Sequence, residues 1–403
     1  MELLLIGAGH AHAFVLEAFA KRPDQAVSIT VVSDSQFAAY SGSVPAWLSG
    51  ECTLRDTQID IAALCQRAGA RFIASPAVAF SASERQVTLA DGSVMTFDVA
   101  SFNVGSTLTL PHVIDPQREA GVGKSLEKGS VEKGSLPTLL AMRPLSSLHH
   151  RWQALREDVA ALPSGVHQNI VSVGGGAAGC ETLMSVLAQL RQQRPDIHWQ
   201  GTLVSASTTL LPGAGWLPRW LTARALRRAG VHIQAGMRGS ALVPGGVQTD
   251  TGERIEGDIV LWATGAVGQG WLQQTALPLN DKGFIQVRAS LEVIGQPGIF
   301  AAGDCAELQL SSSCPSPSSS LPKAGVYAVR MGPVLAENLR AACHRQPLIE
   351  WQPPKRVLAL LGTGDGRAIA SRGTIGFSGR WVWQWKKRID ARFLARFNPP
   401  FND

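Results

Sequence analysis

The sequence has no long apolar run and no export signal. No stretch of its 403 residues reaches the roughly 20 consecutive apolar residues of a transmembrane helix. The N-terminus lacks the basic leader of a secretory signal and enters a glycine-containing turn almost at once. We therefore expect a cytoplasmic protein that does not cross a membrane.

Cysteine is scarce and widely spaced. The chain has no C-x-x-C pair and no zinc-like grouping of cysteines. This spacing argues against a metal site and fits the scattered, reduced thiols of a cytosolic protein. The six cysteines are Cys52, Cys65, Cys180, Cys305, Cys314 and Cys343.

Basic charge is not spread along the chain. The net charge is +6, and residues 380–397 alone hold six basic side chains against one acid. The rest of the chain is close to neutral, which argues against a nucleic-acid surface and favours one local anionic partner. The length and the 45% hydrophobic content predict two or three globular domains.

The start of the chain reads as the strand, turn and helix of a dinucleotide-binding fold. An apolar run over residues 3–6 is followed by Gly7 and Gly9, and an apolar helical pattern follows. Gly7 permits a tight turn, and Gly9 lets the backbone approach a pyrophosphate at the helix N-terminus. His12 replaces the third glycine of the fingerprint, so we expect its ring either to hold the helix off the strand or to face the cofactor.

The following segments extend this first domain. A second strand over residues 27–32 is followed by Asp34. Asp34 is the candidate to accept a hydrogen bond from a hydroxyl of the adenosine ribose. Residues 39–45 form a turn-rich segment in which Gly42 and Pro45 could lie close to a flat ring system, or form a simple loop. We predict a helix over residues 58–69 and strands over 71–73, 86–89 and 93–97.

A complete fingerprint occurs in the second half of the chain. A predicted strand over residues 169–173 leads into Gly174, Gly176 and Gly179, which have the full G-x-G-x-x-G spacing, and a helix follows. This pattern predicts a second nucleotide pyrophosphate site. The next strand ends in residues 205–207 without an acid, which leaves NADH and NADPH both open.

An internal repeat relates the two halves. Three features of the first half recur 160 positions later, and the segments between them are strand-like in both copies. The repeat predicts two nucleotide domains of one design. The paired features are Asp91-Gly92 with Thr251-Gly252, Asp98 with Asp258, and Gly105 with Gly265.

A further acid follows a buried strand near residue 300. Gly303 and Asp304 end this strand. On such a fold an acid at this point can accept hydrogen bonds from the hydroxyls of the ribityl chain of FAD. The alternative is an aspartate that only caps a helix.

The basic tail has a helical pattern with an aromatic stripe. Five apolar residues recur every four positions and would share one face of a helix. Such a helix suits a membrane interface with anionic lipid, and the alternatives are docking on the protein's own core or on a second copy. The stripe consists of Trp381, Trp385, Ile389, Phe393 and Phe397.

These patterns predict an α/β fold with two Rossmann-like dinucleotide-binding domains, one for FAD and one for NAD(P), and a small C-terminal α+β region that ends in an amphipathic helix. Residues 116–145, which include a repeated Glu-Lys-Gly-Ser, are predicted to be a low-complexity insert or linker. The predicted divisions are 1–115 and 270–345 for the FAD domain, 146–269 for the NAD(P) domain and 346–403 for the C-terminal region.

With these motifs the chain resembles the pyridine nucleotide-disulfide oxidoreductase superfamily of flavoproteins over nearly its full length. Within it, the chain looks most like the type II NADH dehydrogenase-like branch. The motifs at residues 9–12, 40–42, 322–330 and 379–386 resemble a subgroup often fused to selenide, water dikinase.

The resemblance implies which residues hold the cofactors. It places FAD on Gly7, Gly9, Asp34, Gly303 and Asp304, and NAD(P)H on Gly174, Gly176 and Gly179. It also places Glu181 near the flavin and nicotinamide, and Lys323 at the pyrimidine edge of the flavin, where a positive charge would stabilise the reduced form. The missing redox dithiol argues against a disulfide reductase.

Our leading hypothesis is an FAD enzyme that takes hydride from NAD(P)H and passes electrons to a quinone, at a peripheral position on the cytoplasmic face of the membrane. One alternative is a flavoenzyme of sulfur or selenium metabolism, for which Cys305, Cys314 and Cys343 are the available thiols. Another is a non-catalytic flavin-binding protein that docks on selenide, water dikinase through its tail.

Overall fold

A computed structural model describes residues 1–115, 135–309 and 321–398. Its first layer is a five-stranded parallel sheet in the order β22-β9-β1-β2-β5. The strands are short apolar runs, as expected for a sheet that is covered on both faces. They are β1 (Glu2–Ile6), β2 (Ser28–Val32), β5 (Arg71–Ile73), β9 (Val99–Phe102) and β22 (Ile299–Ala301).

A second five-stranded parallel sheet has the order β12-β19-β13-β14-β15. Its central strand β13 pairs with β19 as β1 pairs with β9 in the first sheet, and β9 and β19 lie 160 positions apart. Two Rossmann-like domains are therefore confirmed. The strands are β12 (Thr138–Ala141), β13 (His167–Val173), β14 (His198–Ser205), β15 (Val231–Ala235) and β19 (Ile259–Trp262).

Strand β12 corrects the predicted linker. Residues 116–145 were assigned to an insert, but Thr138 to Ala141 pair in parallel with Ile259 to Trp262 at the edge of the second sheet. The four residues are too few and too ordinary in composition to stand out beside the low-complexity stretch that precedes them. The repeated Glu-Lys-Gly-Ser copies lie, except for Ser135, outside the described residues.

A smaller sheet that contains antiparallel hairpins accompanies each parallel sheet. The β6-β7-β8 sheet belongs to the first domain, and the β11-β16-β17-β18 sheet to the second. The strands are β6 (Ala77–Ser81), β7 (Gln86–Leu89), β8 (Val94–Thr96), β11 (His112–Val113), β16 (Gly239–Val243), β17 (Gly246–Thr249) and β18 (Arg254–Glu256). Three two-stranded pairs complete the strands of the two domains: β3 (Phe37–Ala39) with β4 (Gln58–Asp60), β10 (Thr107–Leu108) with β20 (Ala266–Val267), and β21 (Ile285–Val287) with β23 (Ala306–Leu308).

Helices cover the sheets and return the chain to the first domain. Residues 270–345 rejoin that domain through β22 and a long helix that packs against the first helix. The α-helices of the two domains are α1 (His10–Lys21), α2 (Val44–Leu48), α3 (Ile61–Ala68), α4 (Leu148–Ala160), α5 (Ala177–Gln193), α6 (Trp216–Arg228) and α7 (Gly325–Cys343). Short 3₁₀ turns cover Arg55–Thr57, Leu145–Ser147, Gly270–Gln274 and Gly303–Cys305.

The helix predicted over residues 58–69 begins three residues later. Gln58 to Asp60 form strand β4, and the Asp60 carboxylate then accepts a hydrogen bond from the Ala63 backbone N–H at 2.9 Å. Aspartate is a favoured N-cap because it satisfies an otherwise unpaired donor, so the helix starts after it.

The C-terminal region is a small sheet covered by one helix. Its antiparallel strands are β24 (Ala359–Gly362), β25 (Ala368–Arg372) and β26 (Ile375–Gly379), and the helix is α8 (Arg380–Phe397). Val382 and Trp383 of α8 pack on Ala368 and Ala370 of β25. This arrangement confirms the predicted α+β region.

The aromatic stripe on α8 is divided between two environments. Phe397 is only 1% exposed and packs, with Phe393, against the core of the first domain. Trp381, Trp385 and Ile389 are exposed. Of the alternatives left open for the stripe, docking on the protein's own core applies to the last two residues, because α8 runs from the C-terminal sheet onto helix α1 and buries a different face at each end. No helix among the described residues is both long and apolar enough to cross a membrane.

Candidate active site

A single cleft of about 1250 Å³ runs between the two parallel sheets and is lined by both glycine turns. The volume exceeds the roughly 300–1,000 Å³ of an ordinary small-molecule site. Both glycine fingerprints lie at the carboxyl ends of parallel strands, where such folds bind ligands, and both open into this cleft.

The first turn is built around Asn103, which follows β9. A Cβ on Gly7, whose φ is +87°, would lie 2.7 Å from the Asn103 carbonyl oxygen, so only glycine fits. The Asn103 side-chain oxygen accepts from the Ala11 N–H at 3.0 Å, and its amide donates to the Ala302 carbonyl at 2.6 Å. One side chain thereby ties the turn, β9 and β22 together.

His12 does not face the cleft. Its ring is fully buried, Nδ1 donates to the Gly7 carbonyl at 2.6 Å, and Nε2 accepts from the Ser101 hydroxyl at 2.9 Å. Burial lowers the pKa of His12 to about 4, against the opposing effect of the bond to Gly7, so the ring is neutral. Of the two positions expected for His12, the structure has the ring between the turn and the sheet and outside the lining of the cleft.

His10 is the histidine that lines the cleft, and the sequence analysis missed it. Its Nε2 is buried and has no hydrogen-bond partner among the described residues. The ring makes edge contacts with Tyr40 and Phe393, at centroid distances of 5.6 and 6.1 Å. Burial lowers the pKa of His10. A buried ring nitrogen without a partner in a cleft indicates a site for a polar ligand atom.

Asp304 lies in the cleft and has a partner that the sequence did not suggest. Arg143 makes an ion pair with the Asp304 carboxylate at 2.6 Å, donates to the Lys323 carbonyl at 3.1 Å and contacts the Ser106 hydroxyl. Arg143 and Asp304 are 161 positions apart in the chain, so no local sequence pattern could indicate their ion pair. Asp34 also lines the cleft and is exposed.

Lys323 lines the cleft, and its amine is held by neighbouring groups. The Nζ atom makes an ion pair with Glu307 at 2.6 Å, donates to the Ala306 carbonyl at 2.5 Å and lies 4.1 Å from the centre of the Phe284 ring. Helix α7 begins two residues later, at Gly325. Its N-cap, Ala324, makes no side-chain capping bond, so the first N–H groups of α7 point toward the cleft without a side-chain partner.

The second turn has the geometry that its complete fingerprint predicts. A Cβ on Gly179 would overlap the Gly174 carbonyl oxygen, which explains why the third glycine allows the helix to approach the turn closely. Gly176, in contrast, faces open space. Neither α1 nor α5 has a capping bond from its own N-cap residue or an acid in its first turn. At α1 the Asn103 side-chain oxygen accepts from the Ala11 and His12 N–H groups, whereas the start of α5 is available for an anionic group.

Glu181 is a partly buried acid in the cleft, one turn into α5. Its carboxylate accepts from the Gly362 N–H of β24 at 2.6 Å. Burial raises the pKa of Glu181 to about 7, with the positive charge of Lys386 opposing the shift and Asp390 adding to it. This acid therefore carries a proton in part of the molecules at neutral pH.

Helix α8 supplies the groups around Glu181. Lys386 is buried, makes an ion pair with Asp390 at 2.7 Å and contacts the Gly42 carbonyl. Burial and the nearby Asp390 carboxylate raise the pKa of Tyr40. From the sequence, Lys386 is one basic residue of the tail among several, because nothing in a helix rich in lysine and arginine indicates which of them is buried.

Ten of the predicted site residues line the cleft and five do not. Those that line it are Gly7, Gly9, Asp34, Gly105, Gly174, Gly176, Glu181, Gly265, Asp304 and Lys323. Those that do not line it are His12, Gly42, Pro45, Gly179 and Gly303. Pro45 is buried in the first turn of α2, where it supports the helix start.

The described cysteines are packing residues. Cys305 is fully buried, its Sγ donates to the Ala302 carbonyl at 3.3 Å, and burial raises its pKa to about 11. Cys343 is also buried, and its pKa is likewise raised by burial to about 11. Neither thiol has the low pKa of a reactive cysteine. Cys314 lies outside the described residues.

The cleft suits two extended dinucleotides. It offers the glycine turn before α1 and the start of α5 for pyrophosphates, carboxylates at Asp34 and Asp304 for ribose and ribityl hydroxyls, and an unpartnered buried nitrogen at His10. The donor set and the twofold repeat of the turn thus fit FAD and a nicotinamide dinucleotide.

Known oxidoreductases are similar to this chain. Residues 1–332 match the model of the pyridine nucleotide-disulphide oxidoreductase family, and the chain belongs to that family. An NADH dehydrogenase-like protein of Mycobacterium tuberculosis is 26% identical over 416 residues, which cover 99% of this chain and 95% of the relative. A type II NADH:quinone oxidoreductase of Haemophilus influenzae is 30% identical over 45% of this chain and 41% of its own length.

Solved structures share the fold. The sulfide:quinone oxidoreductase of Aquifex aeolicus matches with a TM-score of 0.75 at 16% identity, over 98% of this chain and 91% of that one. NDH2 of Plasmodium falciparum in complex with NADH matches with a TM-score of 0.73 at 13% identity, over 98% and 97%. The chain is accordingly an FAD- and NAD(P)H-dependent oxidoreductase related to the type II NADH:quinone oxidoreductases.

Proposed function

We propose that this oxidoreductase passes electrons from NAD(P)H to a quinone at the membrane surface. The observation that carries the proposal is the position of Glu181. This acid, whose pKa is about 7, lines the cleft near Lys386 of α8. The same helix exposes Trp381 and Trp385 at the protein surface. A proton donor thus lies beneath a surface suited to lipid, which is where a quinone would arrive.

The residues of the cleft would have separate roles in binding and electron transfer. FAD, held at the first turn and at Asp304, would supply the chemistry that accepts hydride from the nicotinamide and releases electrons to the acceptor. Gly174 and Gly176 would hold the pyrophosphate of NAD(P)H at the start of α5. Lys323 would fix a positive charge at the end of the cleft where α7 begins, and Arg143 would hold Asp304 in place.

Glu181 would supply a proton to the reduced acceptor. A quinone takes up two protons on full reduction, and an acid with a pKa near the working pH is the most effective donor. The Gly362 N–H fixes the carboxylate, and the ion pair of Lys386 and Asp390 surrounds it on the α8 side.

An exposed aromatic surface supports the membrane location. Phe377, Trp381 and Trp385 form a continuous row, with ring centroids 6.1 and 6.4 Å apart, and Ile389 follows one helical turn later. Exposed basic side chains flank the row at Arg380, Lys387, Arg388 and Arg392. Aromatic and basic residues together suit the interface of an anionic bilayer, so we place the enzyme peripherally on the cytoplasmic face.

A two-acceptor assay tests the proposal. The purified, FAD-loaded protein is expected to oxidise NAD(P)H with decylubiquinone much faster than with oxygen. The Glu181→Gln variant is expected to lose quinone turnover but to retain turnover with ferricyanide, which accepts electrons without protons. Equal loss with both acceptors would contradict the proton-donor role.

The same preparation distinguishes the alternatives. Reduction of the flavin by sulfide or selenide in the absence of nucleotide, together with no quinone turnover, would favour sulfur or selenium chemistry. Retention of selenide, water dikinase on the immobilised protein, without binding to anionic vesicles, would favour docking of the tail on that enzyme.

A further inference from the structure

The strand end that meets the adenosine ribose of the second nucleotide carries hydroxyls and no acid. Strand β14 ends at Ser205, and Ala206 and Ser207 follow it in the lining of the cleft. An acid at this position would bind the free 2′-hydroxyl of NADH and repel a 2′-phosphate. The acids that line the described part of the cleft are Asp34, Glu181 and Asp304, which belong to other elements.

An arginine is held next to this strand end. Strand β15 lies parallel to β14, and the loop after β15 is bonded to it: the Gly236 N–H donates to the Ser207 carbonyl at 3.2 Å, and the Met237 N–H to the Ser205 carbonyl at 2.9 Å. Arg238 is the next residue, and it lines the same cleft. The two backbone bonds thus fix Arg238 beside Ser207.

The guanidinium of Arg238 is available for a ligand. Its side chain is exposed and makes no hydrogen bond or ion pair with any other residue that the structure describes. The neighbouring acid, Asp250, accepts from the Arg238 backbone N–H at 3.2 Å and does not line the cleft. The Ser207 oxygen accepts from the Thr209 N–H at 3.3 Å, which leaves the hydroxyl proton free to donate.

We propose that the enzyme prefers NADPH over NADH, with Arg238 and Ser207 binding the 2′-phosphate. A guanidinium forms short, charge-assisted hydrogen bonds with phosphate oxygens, and the hydroxyl adds a neutral donor. The inference rests on the proposed use of NAD(P)H and adds to it the specificity-determining residues. It also explains why the strand end carries serines where an NADH site would carry an acid.

Calorimetric titration of the FAD-loaded protein with nucleotide fragments tests the preference without turnover. The wild type is expected to bind 2′,5′-ADP about ten- to a hundredfold more tightly than 5′-AMP, in line with one or two charge-assisted bonds. Arg238→Ala should reduce this ratio to near unity and leave 5′-AMP affinity unchanged. Arg372→Ala, which removes an exposed arginine of the C-terminal sheet, should leave the ratio unchanged.

A second variant tests the direction of the effect. Ser207→Asp places an acid at the strand end and is expected to turn the preference toward NADH in anaerobic flavin reduction, mainly through KM. Equal wild-type affinity for 2′,5′-ADP and 5′-AMP, or unchanged discrimination in Arg238→Ala, would overturn the inference. If neither nucleotide reduces the flavin, the proposed function fails, and the fragment titration still reports on the 2′-phosphate site.

Discussion

Single buried side chains decide how the first nucleotide turn differs from the second. The second turn places Gly179 where the helix meets the strand end, whereas the first places His12 there. The larger residue is accommodated because Gly7 and Ser101 offer one acceptor and one donor at the right distances. The first glycine turn is therefore complete, with a buried histidine in the position of the third glycine.

His12 is expected to stabilise the folded protein. Replacement by glycine, which restores the common fingerprint, would leave a cavity and two unpaired buried polar groups, at a cost of about 2–4 kcal/mol in the free energy of unfolding. Thermal unfolding and FAD content would measure the loss. A His12→Gly protein with wild-type stability and flavin content would show that the histidine is only tolerated.

The pH dependence of stability gives a second test of His12. The unfolded chain gains a proton near pH 6.5, whereas the folded ring has a pKa of about 4 and stays neutral. Stability should therefore fall as the pH drops from about 6.5 to 4, by roughly 3 kcal/mol for this group. Denaturant unfolding of wild type and His12→Phe across this range would detect it: the variant should lack this part of the slope.

Glu181 titrates in the opposite sense. Its folded pKa of about 7 lies above the ordinary value of 4.5, so its contribution to stability is lost as the pH rises from about 4.5 to 7. In stopped-flow measurements, quinone reduction by the reduced enzyme should fall above about pH 7 as the acid ionises. Glu181→Gln should remove that step in the pH profile and slow the reaction on the order of a hundredfold. An unaltered profile would exclude Glu181 as the proton donor.

At the scale of elements, local sequence patterns predicted the helices, strands and turns whose residues are close together in the chain. The glycine turns, the strands beside them and the helical period of α8 follow from residues within one or two turns of each other. Contacts between distant elements do not: Lys386 meets Gly42 and Arg143 meets Asp304 only because α8 and the strands are brought together by the fold. For the same reason, the sequence left open which residues of the α8 stripe dock on the core.

Helix α8 is expected to separate membrane binding from stability. Trp381→Ser with Trp385→Ser removes exposed rings, so stability should change by no more than about 0.5 kcal/mol while binding to phosphatidylglycerol vesicles falls sharply. Phe397→Ala, at the buried end, should cost about 3–5 kcal/mol in stability.

Vesicle sedimentation at low and high salt, together with thermal unfolding, would check both halves of this prediction. Binding should weaken as salt screens the basic side chains. Vesicle binding that survives the double tryptophan change would place the membrane contact elsewhere. The next surface to test is that of Trp216 and Trp220, which are exposed on α6 beside β26.

At the scale of the whole molecule, a repeated domain accounts for the two sites. Each parallel sheet presents its glycine turn and its paired strand end to one shared cleft, and the C-terminal region covers the second domain while its last helix reaches the first. The repeat spacing of 160 residues was visible in the sequence, and so was the pairing of domains. The shape of the shared cleft depends on how the domains pack, which no single motif encodes.

The most direct test of the account is anaerobic mixing of the purified, flavin-containing protein with NADPH and, separately, NADH, followed at the flavin absorption band. The account predicts that the band bleaches with both nucleotides, with NADPH effective at lower concentration, and that adding a quinone restores it. A flavin that stays oxidised with both nucleotides would contradict the assignment of this chain as an NAD(P)H-dependent oxidoreductase.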